Sequence, residues 1–326
     1  MRLAPPPPPE TLPTLSIEQK AALTRTASAL SVAVASILIG AKTAAWQASG
    51  SVALLASLAD SALDLAASLA TFFAVRYAAA PPDAEHRYGH GKAEAFASLV
   101  QATLVLVSAA LLGREAFVRI ADPRPIENEG WALGVMIFSM ALTGVLVAVQ
   151  TRVERRTRSL AIAGDRAHYV ADLASNAVVL VGVAAAAVLS APVLDAIAGL
   201  LVAAWLVWTS FGVFRAASHH LMDRELPEAD RQEIARLITE SGEITNVHQL
   251  RTRSSGPYVH IQAHMDLDPD VTLEVAHDIV VAAERRVLAR YPDADIILHP
   301  DPRGRAEEHG DHFFEKGDLP HPERSR

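Results

Sequence analysis

Two short stretches place ionisable groups inside apolar runs, and they constrain the fold more than any other feature of the chain. Asp60-Ser-Ala-Leu-Asp64 lies within the run from Val52 to Val75, and His168-Tyr-Val-Ala-Asp172 lies near the start of the run from Ala161 to Leu189. Each sets two ionisable side chains at i and i+4, which a helix brings to one face with Cβ atoms about 5–6 Å apart. A carboxylate at the bilayer centre costs roughly 2.5–3.5 kcal/mol on insertion scales. Four such groups in two spans therefore need a compensating partner. Three carboxylates and one imidazole converging between two helices make a four-ligand site for a divalent cation. Helix-to-helix hydrogen bonding explains a single buried aspartate, but two i,i+4 pairs in separate spans argue against it.

The apolar residues concentrate before about residue 220, in runs that approach or exceed the roughly 20 residues needed to cross the hydrocarbon core. Six spans are expected: Thr24 to Trp46, Val52 to Tyr77, Glu94 to Ile120, Gly130 to Thr151, Ala161 to Ser190 and Pro192 to Ser218. Abundant Ala, Gly and Ser allow them to pack closely. Arg76, Arg87 and Lys92 lie between spans two and three, and Arg152, Arg155, Arg156 and Arg158 between spans four and five. The turns after spans one and five carry no Lys or Arg, and Arg119 and Arg124 after span three are offset by acids. By the positive-inside rule both termini are cytoplasmic. The five prolines from Pro5 to Pro9, with no basic-then-apolar leader, read as a disordered tail rather than a signal peptide.

After Leu221-Met-Asp-Arg the pattern becomes that of a soluble domain. A helix (Ala229 to Ser241), two strands (Val247 to Thr252, Tyr258 to Leu267), a helix (Val271 to Tyr291) and a closing strand (Asp295 to His299) predict a small α+β unit with helices on one sheet face. The expected organisation is a Pro-rich tail over 1–22, a six-helix membrane domain over 23–220, a cytoplasmic domain over 221–302 and a disordered tail over 303–326. The formal net charge of −8 averages over these unlike parts. No basic patch points to nucleic acid. The chain has no cysteine, so any metal must be held by His, Asp or Glu.

Two further clusters have ligand-like spacing. Asp83, His86 and His90 follow span two and suit a zinc-sized ion in a compact loop, although loop histidines are often only solvated groups. His248, His264, His277, His299 and Asp301 lie in the soluble part. Strand alternation puts His260, Gln262, His264 and Asp266 on one face, away from Ile261 and Ala263.

The order of these motifs resembles the cation diffusion facilitator family, close to its bacterial zinc/iron efflux members. The matching stretches are Gly50-Ser51-Val52 with Asp60-Ser-Ala-Leu-Asp64, His86-Arg-Tyr-Gly-His90-Gly-Lys92-Ala-Glu94 and His168-Tyr-Val-Ala-Asp172. In the soluble half they are Leu221-Met-Asp-Arg-Glu-Leu-Pro227, Leu250-Arg-Thr-Arg-Ser-Ser-Gly256 and His299-Pro-Asp301. The resemblance covers about Leu23 to Pro302. It implies a six-helix membrane protein with a ferredoxin-like, metallochaperone-like cytoplasmic domain. It also implies a homodimer in the cell inner membrane that exchanges divalent metal for protons. Asp60, Asp64, His168 and Asp172 match the transport site, and Asp83, His86 and His90 the loop site. His248, His264, His277, His299 and Asp301 match a binuclear site. Lys92 matches a position tied to charge pairing at the dimer interface. Pro300 departs from the pattern, since close relatives carry a residue there that can bridge through polar atoms.

The expected function is proton-coupled export of zinc, with no cofactor and with zinc also as a structural or regulatory ligand. Fe²⁺, Cd²⁺, Co²⁺ and Mn²⁺ are alternative cargoes, because N/O sites accept several divalent ions. A membrane metalloenzyme would need an open coordination position beside a general base or nucleophile, and no such motif is found. A membrane metal sensor without transport is the other alternative.

Overall fold

The computed structural model describes residues 15–49, 52–121, 130–189 and 192–304. The Pro-rich run, Gly50-Ser51, Arg124 and the tail histidines His309 and His312 lie outside them. Six long helices come first: α1 (Ile17–Ser49), α2 (Val52–Ala78), α3 (Ala93–Ala121), α4 (Gly130–Thr157), α5 (Leu160–Leu189) and α6 (Pro192–Leu221). Ile17–Ala48, Ala93–Val118, Leu133–Thr157 and Ile197–Leu221 are long and apolar enough to cross a bilayer by length and composition alone. The other two helices, α2 and α5, carry the paired ionisable residues.

The helix α1 starts inside the stretch expected to be a tail. Its start is fixed by a reciprocal cap: the Ser16 backbone N–H donates to Gln19 Oε1 (3.0 Å) and the Gln19 N–H donates to Ser16 Oγ (3.3 Å). Within the bundle the helices approach closely at small residues. A Cβ added at Gly164 of α5 would lie 3.0 Å from the Ser98 Cα of α3. Phe73, Phe96, Leu111, Phe117, Leu201, Trp208 and Phe211 point outward and are well exposed. An apolar exterior around a polar interior is what a lipid solvent selects.

The soluble domain comprises α7 (Glu228–Thr239), β1 (Asn246–Ser255), β2 (Tyr258–Leu267), α8 (Leu273–Arg290) and β3 (Ala294–Pro302). The sheet order is β1-β2-β3, with β1 antiparallel and β3 parallel to β2. A parallel neighbour requires a crossover, and α8 supplies it. Thr272 caps α8 by accepting from the Val275 N–H at 3.4 Å. Ile261, Ala263, Met265 and Leu267 on alternate positions of β2 pack with Ile234, Ile238, Ala276, Ile279, Ala283 and Val287 of the two helices. The other sheet face is left to the polar residues of the same strands. The strand β1 extends beyond its expected limits, and its ladder is interrupted between His248 and Arg251, where Gln249 has φ 50°.

The membrane-side loops and the soluble domain touch directly. A Cβ on Gly91 would lie 2.1 Å from the Ser255 carbonyl oxygen, and one on Gly256 (φ 59°) would lie 2.7 Å from the Gly91 Cα. Only glycine permits this backbone contact between the α2–α3 loop and the β1–β2 turn. Lys20 of α1 adds an ion pair to Asp293 at 3.1 Å.

Candidate metal sites

Within the membrane domain, Asp64, His168 and Asp172 each offer a ligand atom, and these atoms lie within 4.8 Å of one another. His168 Nε2 is 3.1 Å from Asp64 Oδ1 and 3.6 Å from Asp172 Oδ2. The i,i+4 spacing on α5 and the crossing of α2 bring them together. His168 is buried. Its Nδ1 and the Asp172 Oδ2 find no hydrogen-bond partner among the described residues. Buried acceptors and imidazole nitrogens left open in this way suit a cation. Asp60, one turn earlier on α2, is exposed and lies outside this group of three.

A polar network missed at the sequence level lies beneath this cluster. Asp165, fully buried one turn before His168, accepts from Ser31 Oγ (2.6 Å), Gln150 Nε2 (2.8 Å) and Gln101 Nε2 (3.1 Å). It thereby ties α1, α3 and α4 to α5. Tyr169, beside His168, shares a 2.7 Å hydrogen bond with Ser68 of α2 and donates to the Ser31 carbonyl. Lys42 of α1 reaches α2, donating to Ser61 Oγ at 2.6 Å and to the Ser57 carbonyl at 3.1 Å. The rule that an ionisable group inside a span needs a reason applies to Asp165 and Lys42 as well.

The α2–α3 loop forms the second cluster. Asp83 Oδ1 lies 3.3 Å from His86 Nδ1, and Asp83 Oδ2 lies 3.2 Å from His90 Nε2. Asp83 Oδ1 also accepts the backbone N–H groups of His86 (2.6 Å) and Glu85 (2.9 Å). The His86 N–H, seconded by that of Glu85 and by the two imidazoles, holds the Asp83 carboxyl below the ordinary carboxylate range. His90 is buried against the Tyr77 ring, while Asp83 and His86 are exposed. Tyr88 of the same loop lies under the Arg253 guanidinium (4.5 Å) and beside the His260 ring (5.4 Å), so the loop is docked on the soluble domain. Lys92 pairs with Asp223 at 2.9 Å, just beyond the end of α6. Burial alone would raise the Asp223 carboxyl, but Lys92 and then Arg253 hold it below its usual value.

The third cluster is built by strand register. His248, His264 and His299 are directly paired across β1, β2 and β3, so they form one row over the sheet. The next row on the same face is Asn246, Asp266 and Asp301. Asp301 sits at the junction, 2.8 Å from His264 Nδ1 and 3.4 Å from both His248 Nε2 and His299 Nε2. His248, His264 and Asp301 form a compact group, with His299 at its rim. Asp266, 3.4 Å from His248 Nε2, was not among the expected ligands. His248 Nε2 and Asp266 Oδ1 are buried without a hydrogen-bond partner among the described residues, which again fits a cation between them. His277 stands exposed on α8 and outside the group. Pro300 pairs opposite Met265 in the register.

Comparison with known proteins agrees with this architecture. The cation efflux transmembrane domain matches residues 28–222, and the cation efflux protein cytoplasmic domain matches residues 226–303. The cation-efflux pump FieF of Yersinia enterocolitica (serotype O:8, biotype 1B) is 38% identical over 284 residues, covering 87% of this chain and 94% of that protein. FieF of Serratia proteamaculans is 36% identical with the same coverages. FieF of Salmonella choleraesuis is 36% identical over 276 residues, covering 85% of this chain and 92% of that protein. With a helical membrane domain, a dimer-type α+β cytoplasmic domain and these relatives, the chain belongs to the cation efflux, or cation diffusion facilitator, family.

Proposed function

We propose that this protein is a homodimeric antiporter that exports divalent metal from the cytoplasm in exchange for protons, with zinc as its main cargo. The observation that supports this reading best is the convergence of Asp64, His168 and Asp172 inside the membrane domain. Two carboxylates, one imidazole and no thiolate suit zinc, and the imidazole counts against Mn²⁺ and Mg²⁺. Carboxylates and imidazole must be free of protons to bind metal, so loading expels protons and protonation releases metal. Exchange of the two cargoes at one site follows from that competition. The name carried by the relatives, cation-efflux pump, points the same way.

Asp60 is assigned to the same transport site as a fourth ligand, its third carboxylate, that joins it in another state of the helices. Asp83, His86 and His90 form the loop site, and His248, His264, His299 and Asp301 a stabilising metal site in the dimeric soluble domain, which His277 completes. Both termini face the cytoplasm. The α2–α3 loop and the soluble domain are in contact, so they share one side, and the Arg-rich α4–α5 connection accords with the cytoplasmic side.

The test is metal-by-metal flux of the purified protein in vesicles under an imposed pH gradient. Zinc uptake that collapses when the gradient is dissipated is the expected result. Zinc flux indifferent to the gradient would remove the proton coupling, and no metal flux at all would favour a sensor.

A further inference from the structure

An ammonium group has no place in an apolar stretch of α1 unless something holds it there. Lys42 is held by α2. Its Nζ donates to the Ser61 hydroxyl at 2.6 Å and to the Ser57 carbonyl at 3.1 Å. Positions 57, 60, 61 and 64 form one stripe along α2, since they recur at helical i,i+3 and i,i+4 spacing. Lys42 therefore engages the same stripe that carries Asp60 and Asp64. It is half-buried. A lysine near a helix end can run its ammonium out to the headgroups. Here both hydrogen bonds run sideways into the helix that bears the ligands.

The charges then balance. Counted over the ligands alone, with Asp165 left to its own hydrogen-bond donors, the carboxylates of Asp60, Asp64 and Asp172 carry three negative charges, a divalent cation returns two, and one is left over in a medium where uncompensated charge is costly. Lys42 supplies the missing positive charge. Resting on the reading of this cluster as the transport site, we infer that Lys42 is a tethered counter-ion of that site. It neutralises the loaded state and keeps the carboxylates from holding a divalent cation too tightly to let go. It is a positioning residue: its ammonium is held by Ser61 and the Ser57 carbonyl on the ligand-bearing stripe and not by the metal.

Three substitutions test this in zinc-loaded vesicles, with zinc binding measured on the solubilised dimer alongside. Lys42→Met keeps the aliphatic stem and removes the charge. Lys42→Gln removes the charge and keeps a donor to Ser61. Lys42→Arg keeps the charge. The expected result for Met and Gln is tighter zinc binding by about tenfold, the scale of one partly screened unit charge. Half-saturation should fall accordingly and maximal flux should drop in proportion, because release slows. Arg should restore both constants. A merely structural lysine would lower flux without tightening binding. Unchanged or weakened zinc binding in both neutral variants, or an Arg variant that behaves like Met, overturns the inference. Asp64→Ala in the same vesicles reads the underlying site separately. Retained flux in Asp64→Ala removes the transport-site reading itself. Lost flux there beside wild-type behaviour of Lys42→Met and Lys42→Gln removes only the counter-ion.

Discussion

The membrane cluster and the sheet cluster use the same donors, imidazole and carboxylate, yet they are assembled by opposite means. On α5, His168 and Asp172 meet because they are four residues apart, and α2 needs only to cross them. On the sheet, His248, His264 and His299 come from three strands and meet only because the register pairs them. A helix encodes its site locally, and a sheet encodes it through non-local pairing. The surroundings differ as well. The membrane cluster lies in an apolar bundle with a buried network under it, whereas the sheet cluster lies on the polar face of a domain whose core is on the other side. The first is suited to passing an ion and the second to keeping one.

The largest effect that sharpens this contrast is expected from Asp64→Ala. Loss of groups that only support metal ligands typically costs 10–100-fold, so loss of a ligand should cut zinc flux by about a hundredfold or more. Zinc binding to the soluble domain of that variant should be unchanged. Comparable losses at both places would break the separation between a passing site and a keeping site.

A ranking of histidines comes next. His168→Ala should reduce flux most, and His86→Ala and His264→Ala only severalfold, because neither loop nor sheet lies between the helices of the proposed transport site. His264→Ala should instead lower the metal content of the purified dimer. Side-by-side flux and metal analysis checks the order, and equal flux losses would contradict it.

A smaller, structural effect is expected where the two regions touch. The added methyl of Gly91→Ala meets the backbone carbonyl of Ser255, which cannot swing away as a side chain would. The overpacking should cost roughly 1–3 kcal/mol. It should appear as faster proteolysis between α6 and α7, with zinc binding at the membrane cluster retained.

The smallest effect concerns pH at the Lys92–Asp223 pair. The Asp223 carboxyl is held below its usual 3.8, so the folded state favours the charged form. Its contribution is complete above that value and is lost as pH falls through the lower folded-state value. The melting-temperature difference between wild type and Asp223→Asn should therefore be flat from about pH 5.5 to 8, and should shrink only in strong acid. A partly exposed pair of this kind is worth about 0.2–1 kcal/mol. A difference that varies between pH 6 and 8 would mean that a histidine governs the contact instead.

Much of this was legible in the residues. Hydropathy placed all six long helices, short by seven residues at the start of α1 and by six at the end of α4, and alternation placed Ile261 and Ala263 inside and His264 outside. The Ser16-Ile-Glu-Gln19 cap is also a readable signal, and it moves the start of α1 ahead of the expected span. What could not be read was set by distance in the chain. Asp165 finds Ser31, Gln101 and Gln150 on three other helices, and Asp266 joins His248 across a ladder that breaks at Gln249. Spacing arguments reach one turn or one pleat, and such partners lie beyond both.

The position of Asp301 in the last strand has a consequence for biogenesis. It is the residue that touches His248, His264 and His299 together, and β3 joins the sheet only after α8 has crossed over. During synthesis the sheet site is thus finished after every helix of the membrane domain has been made. A ribosome stalled or a protease cutting ahead of Ala294 would leave a chain with a complete membrane cluster and only part of its sheet cluster. A metal that binds the finished domain favours the folded form by mass action. Metal held on this sheet would then mark chains translated through to β3, and truncated ones would lack that stabilisation.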